Sequence, residues 1–147
     1  MIIIENDAKN LMVADAVKAF PDECCGFMFG TEDGEENRII QDILVVNNSK
    51  EGDKTRRFEI SPLDYLKGEQ YAIDHDLILL GIYHSHPKHP AIPSETDRLS
   101  AQPFFSYVII SVLENNTITL RSWRLNDSSQ FDEEKITDYQ FTLKEKQ

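Results

Sequence analysis

The feature that most constrains the fold is an apolar run at residues 77–83 (LILLGIY), followed at once by His84, Ser85, His86 and Pro87. The run is flanked by polar residues and is too short for a typical helix, so it predicts a buried β-strand. Alternate side chains of a strand point to the same face, so His84 and His86 place two imidazoles side by side. Pro87 cannot donate to a sheet ladder, and we expect the strand to end there.

A second motif follows the histidines after a loop that contains three prolines. Ser94 opens the polar run SETDRLSA, and a Ser-x-x-Asp start followed by Leu99 is typical of a helix N-terminus. We therefore predict a short helix from Ser94 that carries Asp97 on its first turn.

Two imidazoles and one carboxylate form a ligand set of catalytic zinc, which leaves its fourth position to water. We predict that His84, His86 and Asp97 bind a zinc ion. An isolated His-x-His-Pro is more often an ordinary strand end, and Asp97 is alternatively the reciprocal partner of Ser94 in a capping box. Because the histidines need a third ligand and one carboxylate does not easily serve both tasks, the offsets favour Asp97 as a ligand.

Amide hydrolysis at a metal-activated water also needs a group that moves protons. Glu23 is the candidate base, and the Ser94 hydroxyl is the candidate donor to the oxyanion that develops on the attacked carbonyl. Taken alone, a glutamate beside a strand is more often solvated or a cap. A serine before a helix usually caps that helix, and Ser94 can fill both roles.

These residues together resemble the motif of the JAMM (JAB/MPN) zinc metalloprotease family. The downstream part is His84-Ser85-His86-Pro87 with Ser94 and Asp97, and it would arise by chance in about one chain in 10⁴ to 10⁵. The upstream part is Glu23 within PDECCGFMFG at residues 21–30. Two weaker landmarks extend the resemblance over most of the chain, Arg57-Phe58-x-Ile60-x-Pro62 and Ser122-Trp123-Arg124.

The resemblance implies a single JAB/MPN domain of the α/β class over residues 1–147, with a cytidine-deaminase-like fold. Its sheet is expected to be curved, mixed or antiparallel, and flanked by helices near residues 7–20 and 62–74. The resemblance also implies a role for each motif residue. Glu23 is the expected general base, Ser94 the expected oxyanion donor, and His84, His86 and Asp97 the expected ligands of one zinc ion.

Members of this family cut the amide bond after the Gly-Gly tail of ubiquitin or ubiquitin-like proteins. The compact chain is similar to the small prokaryotic stand-alone members, so the resemblance implies a ubiquitin-like sulfur carrier as substrate. The alternatives are a deubiquitinase-like isopeptidase that acts on larger conjugates, and a non-catalytic scaffold. A scaffold is expected to have lost ligand residues, whereas this chain retains all of them.

Charge and composition further limit the classes of partner that the sequence predicts. The chain carries 26 acidic and 15 basic residues, a formal charge of −11, and no long basic cluster. Such a surface argues against nucleic acid, including the DNA-repair relatives that share a His-x-His-Pro motif. No apolar run approaches a membrane span, and the N-terminus does not resemble a secretory signal, so we expect a cytoplasmic protein.

The cysteines and the remaining histidines are predicted to lie outside the chemistry. Cys24 and Cys25 are sequence neighbours and cannot form a disulfide across the fold, so we expect free thiols packed in the core. His75 and His89 lie on polar stretches and are expected to be exposed and non-ligating.

The rest of the chain supplies scaffold. The predicted strands are residues 2–4, 25–30, 38–46, 58–60, 104–113, 117–125 and 136–143, with a turn around Gly34 and a polar loop at 47–57. The predicted helices cover residues 7–20, with a stripe of Val13, Ala16, Val17 and Phe20, and residues 62–74, with Leu63, Leu66, Tyr71 and Ile73 as apolar surface. Residues 126–134 are expected to form a polar excursion without secondary structure.

Overall fold

The structure, a computed structural model, describes residues 1–34 and 37–138. Its strands are β1 (Ile2–Ile4), β2 (Cys25–Asp33), β3 (Asn37–Val46), β4 (Ile78–Pro87), β5 (Ser106–Val112), β6 (Ile118–Leu125), β7 (Phe131–Glu134) and β8 (Ile136–Asp138). Its helices are α1 (Asn6–Ala19), α2 (Pro62–Asp74) and α3 (Glu95–Ser100). No helix within the described residues is long and apolar enough to cross a membrane.

The strands form one mixed sheet in the order β7-β6-β5-β4-β2-β3-β1-β8. Parallel pairs join β4 to β5, β1 to β3 and β1 to β8, and the remaining neighbours are antiparallel. This confirms the predicted α/β class with a mixed sheet. The adjacent central strands β2 and β4 carry the motifs recognised in the sequence, so the topology brings those motifs together.

Each face of the sheet is covered by one long helix. Ala8, Met12 and Ala16 of α1 pack on one hydrophobic cluster, and Ala72 of α2 joins the cluster on the other face. Gly68 allows α2 to approach closely, because a Cβ at this position would lie 2.7 Å from the Phe27 ring. The flanking helices predicted from the sequence are therefore confirmed.

The residues that face the core differ from the predicted stripes. In α1, Val17 is exposed and Val13 half-buried, because two alanines bring the helix backbone close to the sheet and leave the bulkier valines at its margin. In α2, the close approach at Gly68 and Ala72 leaves Leu63, Leu66 and Ile73 on the solvent side. The predicted start of α2 is confirmed, since the Ser61 hydroxyl accepts a hydrogen bond from the Asp64 N–H at 3.1 Å.

One strand assignment was wrong. Residues 58–60 form no sheet strand, because the main-chain groups of Glu59 bond to the Asn48 side chain and to the N–H and hydroxyl of Ser49. The predicted polar excursion at 126–134 contains β7, which forms a hairpin with β6. The predicted strand at 136–143 is confirmed for β8, and residues 139–143 lie outside the described residues.

Candidate metal centre and active site

The ends of β2 and β4 form one corner of the molecule. Cys25 pairs with His84 in antiparallel register, and the Ser85 N–H continues the pairing to the Cys24 carbonyl at 3.2 Å. The same register sets Glu23 opposite His86. Residues two apart in a strand share a face, so Glu23, His84 and His86 lie on one side of the sheet.

The predicted ligand residues converge at this corner. The Nε2 atoms of His84 and His86 are 3.2 Å apart. The Asp97 Oδ2 atom lies 3.4 Å from His84 Nε2 and 3.2 Å from His86 Nε2. Both histidines are buried, and Asp97 is half-buried. The structure therefore brings together the three residues that the sequence predicted as ligands.

The spacing of these atoms fits a metal ion. Zinc binds imidazole nitrogen and carboxylate oxygen at about 2.0–2.2 Å, so two ligand atoms of a tetrahedral site lie about 3.3–3.5 Å apart. The three observed separations are close to this edge length. Two imidazoles and a carboxylate with such spacing are compatible with a metal site.

Asp97 and Ser94 are positioned by the start of α3. The Ser94 hydroxyl accepts the Asp97 N–H at 3.0 Å, and Asp97 Oδ2 accepts the Ser94 N–H at 2.9 Å, which completes a capping box. The Oδ2 atom that accepts this bond also faces both histidines. The sequence suggested that one carboxylate does not easily serve as both cap and ligand, but a carboxylate oxygen has more than one lone pair, so Oδ2 can accept the capping bond while it faces the histidines.

Glu23 is buried beside the ligand group, and its Oε1 atom has no hydrogen-bond partner among the described residues. Burial raises the pKa of Glu23 to about 8, and the charge of Asp97 adds to this effect. His86 and Arg57 act in the opposite direction but do not cancel it. A carboxyl group whose pKa lies near neutrality can both accept and release a proton at ordinary pH.

A family model described as prokaryotic homologs of the JAB domain matches residues 5–126. The chain belongs to the JAB family. The resemblance identified from the motif is thereby confirmed, and the match spans Glu23, Ser94 and the three residues of the candidate metal site. Among curated relatives, the CysO-cysteine peptidase of Mycobacterium tuberculosis is 32% identical over 130 residues, which cover 88% of this chain and 86% of the relative. The desampylase of Pyrococcus furiosus is 30% identical over 114 residues, which cover 78% of this chain and 74% of the relative.

Solved structures agree with the JAB/MPN fold. A protein from Desulfitobacterium hafniense, determined in solution, superimposes with a TM-score of 0.83 at 31% identity over 94% of this chain and 92% of that one. A protein from Salinibacter ruber gives a TM-score of 0.71 at 33% identity, over 94% of this chain and 91% of that one.

The electrostatics of this JAB site suit a neutral imidazole ligand and an ionised carboxylate. Burial lowers the pKa of His84, although the Asp97 charge opposes that change. Burial alone would raise the pKa of Asp97, but the two histidines and the Ser94 N–H outweigh it and hold the pKa of Asp97 well below its usual range. Imidazole ligates a metal through an unprotonated nitrogen, so the directions at His84 and Asp97 favour metal binding. His86 differs, because burial lowers its pKa but the hydrogen bonds to Asp97 and to the Pro90 carbonyl outweigh burial and raise the pKa.

Hydrogen bonds behind the ligands fix their orientation. His86 Nδ1 lies 2.9 Å from the Pro90 carbonyl oxygen, and this contact suits an Nδ1–H donor that leaves Nε2 free for a metal. The loop that supplies Pro90 is itself held, because the Ser111 hydroxyl donates to the His89 carbonyl and the Trp123 Nε1–H donates to the Ala91 carbonyl.

Asn48 is a functional candidate that sequence reasoning missed. Its buried amide donates to the Glu23 carbonyl and to the Arg57 carbonyl, both at 3.1 Å. Its Oδ1 atom accepts the N–H groups of Lys50 and Glu59 at 3.0 and 3.1 Å. One side chain thus ties the backbone of Glu23 to two parts of the following loop. The only sequence signal was an asparagine at the end of a strand, where turns also place asparagine.

Two cavities adjoin the ligand group. The first, here called the His84 cavity, measures about 370 Å³ and is bordered by His84, Asp97, Phe58, Ile60 and Tyr107 among others. The second, here called the Glu23 cavity, measures about 260 Å³ and is bordered by Glu23, His86 and Ser94. Arg56 borders both cavities. A larger cavity of about 590 Å³ lies between α1, β6 and β8, away from these residues.

The other candidate residues lie where the sequence predicted. His75 and His89 are exposed, and within residues 1–34 and 37–138 neither joins a group of three metal-capable side chains. Cys24 and Cys25 are buried free thiols, and burial raises the pKa of Cys25 to about 12. Such thiols stay protonated at neutral pH and do not act as nucleophiles.

Proposed function

We propose that the chain is a zinc-dependent peptidase that cleaves the amide bond after the C-terminal Gly-Gly tail of a ubiquitin-like sulfur carrier protein. His84, His86 and Asp97 hold the zinc, Glu23 is the general base, and Ser94 donates to the oxyanion. The observation that carries this proposal is the tetrahedral spacing of the three ligand atoms beside the unpartnered carboxyl group of Glu23. The peptidase and desampylase names of the relatives support the reaction class and a ubiquitin-like substrate.

Zinc bound at the ligand group acidifies a water molecule and polarises the carbonyl to be attacked. Glu23 accepts the proton of the attacking water, because its Oε1 atom is unpartnered and lies on the same face as His86. Burial favours the protonated form of Glu23, so the side chain holds this proton until the leaving amine takes it.

Ser94 supplies a donor at the same site. Its hydroxyl oxygen already accepts the Asp97 N–H, so the hydroxyl hydrogen is free to point at a developing oxyanion. Capping and oxyanion binding therefore use different atoms of one hydroxyl group. Preorganised donors of this kind stabilise the charge that develops in the transition state.

The main chain beside the His84 cavity has free hydrogen-bonding groups that a Gly-Gly tail can use. The N–H and C=O groups of Glu59 are used by Asn48 and Ser49. Its neighbours Phe58 and Ile60 border the cavity, and their main-chain groups make no hydrogen bond within the described residues. A tail without side chains can pair with such a segment inside a narrow groove.

The direct test is the intact mass of a ubiquitin-fold sulfur carrier that ends in Gly-Gly-Cys. After incubation with zinc-loaded protein, we expect the loss of one cysteine residue. Glu23→Gln should leave the mass unchanged, and the matched control Glu69→Gln, at an exposed position on α2, should cleave like the wild type. An unchanged carrier mass with the wild type contradicts the proposed substrate.

The second candidate is isopeptidase activity on larger conjugates, which the relative named desampylase favours. A carrier linked through Gly-Gly to a lysine of another protein tests it. Release of the intact carrier at a rate that exceeds release of cysteine would support this candidate. Failure of the protein to retain zinc would instead support a non-catalytic scaffold.

A further inference from the structure

The Glu23 cavity contains a positive charge that the proposed mechanism does not use. Arg56 borders this cavity, and within the described residues its side chain makes no hydrogen bond and no ion pair. Arg38, Arg98 and Arg121 each contact a carboxylate. Arg57 and Arg124 form no ion pair within the described residues either, but neither borders the Glu23 cavity. Arg56 is exposed, and its charge also acts on Asp53. Its position in the wall of the Glu23 cavity, beside Glu23 and Ser94, leaves its guanidinium available to an anionic ligand in that cavity.

The chemistry of the proposed reaction assigns this cavity to the leaving group. Glu23 must reach the nitrogen that departs, because it returns a proton to that atom. The leaving group therefore lies on the side where Glu23, His86 and Ser94 form the wall. The volume of about 260 Å³ equals that of about nine water molecules at about 30 Å³ each, which is enough for one amino acid.

The linkage of the leaving group decides whether an anion can reach Arg56. An amino acid joined through its α-amino group carries its carboxylate two bonds from the scissile nitrogen. A lysine joined through its ε-amino group carries only methylene groups near that nitrogen. A carboxylate thus enters the same cavity only in the first case, and a guanidinium is the side chain best suited to bind it through two parallel hydrogen bonds.

We infer that Arg56 binds the α-carboxylate of the departing amino acid, so that the protein prefers a single C-terminal residue over an isopeptide-linked lysine as leaving group. This inference rests on the proposed function and adds the specificity of its leaving-group side. The side chains of Pro90 and Ile92 supply an apolar wall for the side chain of a small departing residue.

The test uses one ubiquitin-fold carrier that ends in Gly-Gly, extended by cysteine either as the free acid or as the carboxamide. The zinc-loaded wild type should cleave the free acid with a kcat/KM about tenfold to hundredfold higher, the usual value of one charge-assisted contact. Arg56→Gln should lose this factor on the free acid, mainly through KM, and leave the carboxamide rate unchanged. Arg56→Lys should recover part of the loss.

Lys88→Gln is the matched control, since it removes a positive charge outside the Glu23 cavity that forms an exposed ion pair with Glu114 and lies over the Phe20 ring. The Lys88→Gln variant should keep the wild-type preference for the free acid over the carboxamide. Equal wild-type rates on the two substrates would overturn the inference while the proposed function stands. An equal loss on both substrates in Arg56→Gln would also overturn it, and would instead place Arg56 against the carrier surface. No cleavage of either substrate would overturn both proposals.

Discussion

His84 and His86 lie on the central strand β4, whereas Asp97 lies on α3, a helix of six residues near the surface, and Ser94 is the N-cap of that helix. The histidines are buried, and their spacing follows from the two-residue period of a strand. Ser94 is exposed, and its position depends on the capping box it forms with Asp97. The comparison shows that the sheet positions two of the proposed ligands, while local hydrogen bonds at a helix start position the third.

We expect the largest effect on zinc binding and cleavage from substitution of a histidine on β4. His84→Ala leaves two ligand atoms, so we expect the loss of zinc binding and of cleavage down to background. Zinc content by elemental analysis and carrier cleavage by intact mass measure both. The control His75→Ala, at an exposed histidine outside the ligand group, should behave like the wild type. Full zinc content in His84→Ala would show that the ligand group is assigned incorrectly.

Glu23→Gln should separate catalysis from metal binding. We expect cleavage to fall about 10²- to 10⁴-fold, the usual contribution of a general acid–base, while zinc content stays at the wild-type level. A loss of zinc in this variant would mean that Glu23 is a ligand rather than a base.

The same substitution should also stabilise the zinc-free protein in alkaline solution. The pKa of Glu23 is about 8 in the folded state against an ordinary 4.5, so the folded state binds the extra proton between these values. Wild-type stability therefore falls as pH rises from about 4.5 to 8, by roughly 1.4 kcal/mol per unit of pKa difference. Urea unfolding in the presence of a chelator measures this effect. The free energy of unfolding of Glu23→Gln should exceed that of the wild type at pH 9 but not at pH 4. A gain of the same size at pH 4 would exclude this origin.

Ser94 should show two separable effects of intermediate size. Ser94→Ala removes the cap and the hydroxyl donor, so we expect about 1 kcal/mol of lost stability and about 10²-fold slower cleavage. Ser94→Asp restores a capping oxygen without a hydroxyl donor, and it should recover stability but not cleavage. Thermal unfolding and the cleavage rate are measured on the same preparations. Recovery of cleavage in Ser94→Asp would show that Ser94 acts only as a cap.

The smallest effect is expected from Asn48, which positions Glu23 without touching substrate. Asn48→Ala removes the hydrogen bonds to Glu23 and Arg57, so we expect kcat to fall about tenfold to hundredfold with unchanged zinc content. The neighbouring exposed Asn47 provides the control, Asn47→Ala. If stability falls but kcat does not, Asn48 has a purely structural role.

The sequence could predict what depends on short spacing. The strand period placed His84 and His86 side by side, and the Ser-x-x-Asp pattern placed Asp97 at the start of α3. The pairing of β2 with β4, which sets Glu23 opposite His86, joins residues about sixty positions apart and was not predicted. The family resemblance implied only the role of Glu23. The hydrogen bonds of Asn48 depend equally on the path of the loop at 47–57.

Helix faces were harder to predict, because the sequence does not show how closely a helix approaches the sheet. Gly68 and Ala72 allow α2 to lie against Phe27, and this contact turns Leu63 and Ile73 to solvent. Hydrophobicity alone favoured the leucines. In the same way, the alanines of α1 outweigh its valines as contact residues.

The most direct test of the account is a zinc titration of the metal-free protein, with zinc stoichiometry by native mass spectrometry and carrier cleavage recorded on each sample. The account predicts one zinc ion per chain and a cleavage rate that rises in proportion to bound zinc and levels off at one equivalent. Glu23→Gln should bind the same single ion without cleavage. Cleavage by the metal-free wild type, or undiminished cleavage by His84→Ala, would contradict the assignment of this corner as a metal-dependent active site.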